Sequence, residues 1–180
     1  RLLAAVPNSV LWLLEDNSPA TARLRAEAAA RGIAPERLIF APRTKQEAHL
    51  ARHTLADLFL DTLPYNAHTT ASDALWMGLP ILTVLGTSFV GRVCASILGA
   101  AGLAELVTHS LPEYEALALE LARNPQRLAA IRRKLADSRD SCPLFDVARF
   151  TRNLESAYRG MMDIAAQGEK PHAFTVKEDA

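Results

Sequence analysis

The chain has 180 residues, 49% hydrophobic and 22% charged, with 20 Lys plus Arg against 20 Asp plus Glu: enough apolar surface for one globular core, and no net field to attract nucleic acid or a membrane. Its two cysteines, Cys94 and Cys142, form no CxxC and stand beside no histidine in ligand spacing, which excludes a zinc motif of that kind and fits two buried, reduced thiols. No apolar run approaches the ~20 residues of a membrane span, and Arg1 to Pro7 lacks a signal-peptide pattern, so the expectation is a soluble, cytoplasmic protein.

In chain order, short β-like runs alternate with helical segments. Arg1 to Val6 reads as the last turns of a helix feeding a strand at Ser9 to Leu14 (SVLWLL), with nothing before it to supply a preceding strand. This predicts either a fragment of a longer protein, or a sheet lacking a partner element, although a single domain can also start on a short helix. The turn-rich Asp16-Asn17-Ser18-Pro19 leads into an Ala/Arg-rich helix to about Arg31, stopped by Gly32. Next come a strand at Arg37 to Phe40, a short helix at Lys45 to His53, a strand at Asp57 to Thr62, and a helix from Thr69 to Met77 ended by Gly78. Pro80 to Val84 gives a fourth strand, Phe89 to Ala101 a helix, and Leu106 to His109 a short fifth strand. Helices at Pro112 to Arg123, Pro125 to Asp140 and Phe145 to Ala166 follow, with Pro at starts or breaks. Strands alternating with helices predict parallel pairing through right-handed crossovers, hence an α/β, Rossmann-like doubly wound sheet with C-terminal helices. Residues 1–166 form the predicted domain and the polar, aperiodic residues 167–180 a loose tail.

The most informative stretch runs from Asp57 to Pro80 (DLFLDTLPYNAHTTASDALWMGLP), where an apolar run meets a polar loop that opens directly into a helix. Helix N-termini present unpaired N–H groups and a partial positive charge, so Thr69 and Thr70 suit a diphosphate and Asp73, one turn on, suits ribose hydroxyls. The same letters also fit an ordinary capping box, Thr70-x-x-Asp73. Position favours the ligand, because open α/β folds bind at the carboxyl ends of their strands.

After the second strand, a helix starting near Lys45 places His49 and Arg52 three residues apart on one face, with His53 four residues from His49. An imidazole and a guanidinium suit stacking on a base and bonding its carbonyl edge. Two alternatives remain for these letters: a solvated basic face, and a His49/His53 zinc pair that has neither an HExxH motif nor a third ligand. Gly86 to Arg92 (GTSFVGR) before the next helix offers hydroxyls and a guanidinium to a sugar or phosphate, or merely closes a turn. Paired carboxylates at glycosidase spacing, GxSxG and Walker-type loops are absent, and no catalytic dyad can be assembled.

The runs VPNSVLWLL, ERLIFAP, LDTLPYNAHTTASDALWMGLPILTVLG, FVGRVCASIL and CPLFDVARF occur in collinear order from Val6 to Phe150. Together they resemble the C-terminal catalytic region of the O-linked N-acetylglucosamine transferases, the SPINDLY-like family, over about Val6 to Met162. The resemblance implies the second Rossmann-like half of a GT-B enzyme, which binds the UDP of UDP-GlcNAc for inverting transfer to Ser or Thr hydroxyls of proteins, with no cofactor and no obligatory metal. It also implies an upstream GT-B half and TPR repeats as partners. By residue, it makes His49 the packing partner of uracil, with Arg52 and the backbone at Thr44 reading the base edge. His68, Thr69 and Thr70 would surround the diphosphate, and Asp73 would take the ribose. Gln46 stands where animal members carry Lys, which alters a ribose or phosphate contact. Ala67 replaces the Gly of NGHTT, and because Ala tolerates positive φ poorly this predicts a slightly different loop. The family's phosphate-binding lysine and proposed proton acceptors lie upstream, so the chain alone is expected to be inactive as a transferase. Two other readings stay open: a relative using another nucleotide sugar such as GDP-fucose, and a non-catalytic nucleotide-binding or interaction module.

Overall fold

A computed structural model describes residues 1–176. Its strands are β1 Leu11–Leu14, β2 Leu38–Ala41, β3 Phe59–Leu60, β4 Ile81–Val84 and β5 Val107–Thr108. Its helices are α1 Leu2–Ala5, α2 Ser18–Ala30, α3 Gln46–Arg52, α4 Thr69–Trp76, α5 Val93–Ala100, α6 Leu111–Arg123, α7 Pro125–Ser138 and α8 Val147–Ala166. Every strand pairing is parallel, as the alternation of strand and helix predicts. The strands fall into two ladders, β1-β2 and β3-β4-β5, where one continuous sheet is expected.

The core sits around β4, all four of whose residues are buried, as a strand covered on both faces requires. Leu75, Leu98, Leu103, Leu106, Leu121 and Leu135, all essentially inaccessible, pack with Ile81 in one cluster, each contributing roughly 1.5–3 kcal/mol of burial. Cys94 is buried beside them. Burial first, then the neighbouring Asp61 carboxylate, pushes its thiol up to about 12, so it stays protonated and inert.

Four of the eight described α-helices start on a side-chain cap. Asn17 accepts the Ala20 N–H at 2.7 Å to open α2, and Asn124 accepts that of Arg127 at 3.0 Å to open α7. Ser110 accepts the Glu113 N–H while the Glu113 carboxylate accepts that of His109, a reciprocal cap on α6. Asp146 accepts the Arg149 N–H at 2.8 Å, which starts α8 two residues later than the predicted Phe145. The largest boundary difference is at α5, predicted from Phe89 and observed from Val93. Gly91 and Arg92 instead close turns onto the carbonyls of Ser88 and Phe89, and Gly86 donates to the Gly91 carbonyl at 2.6 Å, so this segment doubles back before the helix begins.

No described helix is long and apolar enough to cross a membrane. Beyond α8 the chain is irregular to residue 176, with the Phe174 ring against Gly160, where an added Cβ would meet it at 2.8 Å. The last four residues of the predicted tail, 177–180, lie outside the described residues. One face of α8 carries Val147, Phe150, Leu154, Tyr158 and Met161, all exposed.

Candidate functional site

The site forms at the carboxyl ends of β2 and β3. From β2 the chain turns through Pro42 to Lys45 into α3, and Arg52, at the far end of that helix, reaches back to close the turn. One of its terminal nitrogens donates to the Pro42 carbonyl at 3.0 Å and the other to His49 Nδ1 at 2.6 Å. A guanidinium has no acceptor, so His49 Nδ1 must be unprotonated and the ring proton sits on Nε2. Burial, and then the positive charges of Arg52 and His53, lower the His49 pKa below its ordinary value, while Asp73 on α4 opposes them. The ring is therefore a neutral plate with an N–H at its far edge. His53 packs edge-on against it at 4.8 Å with its Nδ1 on the His49 carbonyl at 2.8 Å. Among the described residues, no three of His, Cys, Asp or Glu gather as metal ligands.

From β3 the chain enters the loop that presents the second half of the site, and Asp61 organises it. One carboxylate oxygen accepts the N–H groups of Thr62 (2.8 Å) and Ala67 (2.7 Å). The other accepts the Thr83 hydroxyl of β4 at 2.6 Å. The Tyr114 hydroxyl of α6 donates to the Asp61 carbonyl at 3.0 Å, and that phenol, half-buried and beside the carboxylate, has its pKa raised by desolvation first and then by the Asp61 charge. Within the loop, Asn66 donates from Nδ2 to the Thr62 carbonyl at 2.9 Å and from its backbone to the Val90 carbonyl at 3.1 Å. The His68 ring stacks on Tyr65 at 5.1 Å and meets Phe89 edge-on at 6.2 Å.

Helix α4 begins with His68 in the N-cap position, and no side chain caps it. The Thr70-x-x-Asp73 capping box is thus not formed: Asp61 and Val90 fix the backbone up to Ala67, and the helix starts at Thr69 with His68 as its N-cap, two residues too early for Thr70 to cap it. The N–H groups of Ala71 and Ser72 turn to the His68 carbonyl, whereas among the described residues those of Thr69 and Thr70 meet no carbonyl. Two donors are left at the positive end of a helix. Ala67 does not take a positive φ; among the described non-glycine residues only Asn8 does. Alanine therefore fits here without backbone strain, and the expected distortion of the loop has no cause at this residue.

Of the eight residues singled out from sequence, His49, Arg52, His68, Thr69 and Thr70 line one cleft of about 2410 Å³. Asp73 lies one turn into α4, within electrostatic reach of His49. Thr44, in the turn after β2, and Gln46, opening α3, are exposed and stand outside the cleft lining. Sequence reasoning missed Asp61, Tyr65 and Tyr114. A lone carboxylate ending an apolar strand was the only signal for the first, and nothing local marks the other two.

Residues 1–154 match Glycosyl transferase family 41. A probable UDP-N-acetylglucosamine--peptide N-acetylglucosaminyltransferase SEC of Arabidopsis thaliana is 40% identical over 99% of this chain, and the UDP-N-acetylglucosamine--peptide N-acetylglucosaminyltransferase of Caenorhabditis elegans 37% identical over 86%. The chain spans only 18% and 14% of those proteins. Among solved structures, the K341M mutant of the Thermobaculum terrenum O-GlcNAc transferase superposes with a TM-score of 0.87 at 38% identity, covering 93% of this chain and 33% of that one. The parallel α/β fold is accordingly of the GT-B type, and the chain belongs to glycosyl transferase family 41.

Proposed function

We propose that this chain is the donor-binding half of an inverting protein O-N-acetylglucosaminyltransferase that uses UDP-GlcNAc and modifies Ser or Thr hydroxyls, its remaining active-site groups lying upstream. The observation that carries this reading is the pair of open N–H groups at Thr69 and Thr70, in one cleft with a neutral His49 held by Arg52. The helix terminus receives the diphosphate, His49 packs on uracil, and Asp73 takes the ribose. Thr44, exposed just before α3, and Gln46, exposed as its first residue, contact the base and ribose only at the rim. In the transfer, an acceptor hydroxyl oxygen bonds to C1 of the sugar as the bond from C1 to the diphosphate oxygen breaks. The electron pair stays on the diphosphate and the hydroxyl proton leaves to a base. The oriented N–H groups of α4 favour the departing charge without reorganising, which is electrostatic preorganisation, and no obligatory metal is assigned. The names of the relatives support the donor and the peptide acceptor.

Calorimetric titration of the full-length protein with UDP and GDP tests the reading. UDP should bind at least tenfold more tightly, and Asp73→Ala should weaken it by on the order of 1–3 kcal/mol, the usual effect of removing one partner of a buried hydrogen bond. A GDP preference would assign another donor such as GDP-fucose. Unchanged cellular activity in Thr70→Ala and Asp73→Ala would point to a non-catalytic module.

A further inference from the structure

Helix α6 turns one face to the core. Ala118 and Leu121 are buried on it and Leu117 packs against the central cluster, so Tyr114, one turn before Ala118, falls on the same face and lines the cleft. A phenylalanine would fill that place equally well. The hydroxyl is what packing does not explain, and it donates to the Asp61 carbonyl at 3.0 Å, across 53 residues of chain. Desolvation first, and then the Asp61 charge, raise the pKa of the phenol, so it stays protonated and remains a donor.

The Asp61 carbonyl and the Thr62 N–H belong to one planar peptide unit. Tyr114 holds the oxygen of that unit, and the Asp61 carboxylate accepts its N–H at 2.8 Å, so the plane is fixed from both sides. The same carboxylate oxygen accepts the Ala67 N–H at 2.7 Å, two residues ahead of the start of α4 at Thr69. The Asp61 N–H is committed to Leu82 at the end of the ladder, which leaves the phenol to set how the following peptide turns. We infer that Tyr114 is a positioning residue for the diphosphate, an assignment that rests on the proposed binding of that group at α4. Through the peptide plane and the Asp61 carboxylate, its hydroxyl fixes where the N–H groups of Thr69 and Thr70 point, without itself touching the ligand. The base side of the cleft is independent of this network. His49 and Arg52 stand on α3, after β2 in the other ladder, where Arg52 bonds to Pro42 and to His49.

Binding of UDP and of uridine to the full-length protein, UDP by calorimetric titration and uridine by its displacement of UDP, separates the two sides of the site. Tyr114→Phe keeps the ring and should weaken UDP roughly 5- to 10-fold, the usual effect of one lost hydrogen bond, while uridine binds as before. Leu117→Ala removes only packing from the same helix face, so it should lower Tm and leave the ratio of UDP to uridine affinity unchanged. In an Asp61→Ala background Tyr114→Phe should cost no further UDP affinity, because the two groups act in one network; additive losses would mean that the phenol meets the ligand directly and overturn the inference. Should that double variant fail to fold, the UDP-to-uridine ratio of Tyr114→Phe decides alone. An unchanged ratio in Tyr114→Phe, or an equal change in Leu117→Ala, overturns the positioning role and leaves the donor reading standing. A wild-type protein that does not bind UDP overturns both.

Discussion

Asp61 accepts three hydrogen bonds that join β3, β4 and the loop ahead of α4, so removing it should loosen the site from beneath. Asp61→Ala leaves three donors without their acceptor, of which only the Thr83 hydroxyl is fully buried. The expected cost is roughly 2–4 kcal/mol in total, or a fall in Tm of roughly 5–15 °C, together with weaker UDP binding, and Asp61→Asn should fall between. Calorimetry that finds a stable Asp61→Ala protein with unchanged UDP affinity would show that the loop does not depend on this carboxylate. His49 makes a second prediction. Its folded pKa lies below the ordinary 6.5, so the unfolded chain holds its proton more firmly. The contribution to stability is therefore complete above pH 6.5 and is lost as pH falls through the folded pKa. Protonation of Nδ1 also breaks the bond from Arg52. Nitrogen-detected NMR should find a neutral ring protonated on Nε2 at pH 7 with a midpoint below 6.5, and a midpoint above it would contradict the geometry.

The loop between β4 and α5 fixes the height at which His68 and α4 stand, because its Val90 carbonyl receives the Asn66 N–H. That loop closes only because Gly86 and Gly91 touch: a Cβ on Gly86 would sit 2.9 Å from the Gly91 carbonyl oxygen and 3.0 Å from its Cα. These are backbone atoms and cannot swing aside. Gly86→Ala should cost about 1–3 kcal/mol as an overpacked contact and weaken UDP binding, while Gly99→Ala, inside α5 with open space around it, should stabilise by about 0.5–1 kcal/mol. Thermal unfolding of the pair decides, and equal effects would refute the close-contact argument. What could be read in advance follows from the range of the interactions. The strand-loop-helix from Asp57 to Pro80 and the His49/Arg52 spacing are local and were legible. The capping letters were ambiguous because Ser110/Glu113 form the reciprocal cap and Thr70/Asp73 do not, and only the distant Asp61 and Val90 decide between them. The late start of α5 and the break between ladders depend on long-range pairing, which no local pattern encodes.

Across the whole molecule, the charge facing the leaving group sets what the chain can do by itself. A diphosphate is multiply charged. On the proposed role, the cleft would meet it with one helix terminus, equivalent to about half a positive charge, and with an imidazole held neutral. The Arg52 guanidinium is already engaged by Pro42 and His49. Two further surfaces are open as well, the cleft where it runs between β1 and β3 and the apolar face of α8. On the proposed donor-binding role, oriented N–H groups would hold UDP weakly under these conditions, and excluding water and stabilising the departing charge would call for groups from outside the chain. The expected result is that the 180-residue chain binds UDP without transferring sugar, and that turnover appears when the upstream half is restored. A radiolabelled transfer assay on both proteins measures this, and robust turnover by the 180-residue chain alone would show that the described cleft already contains the whole active site.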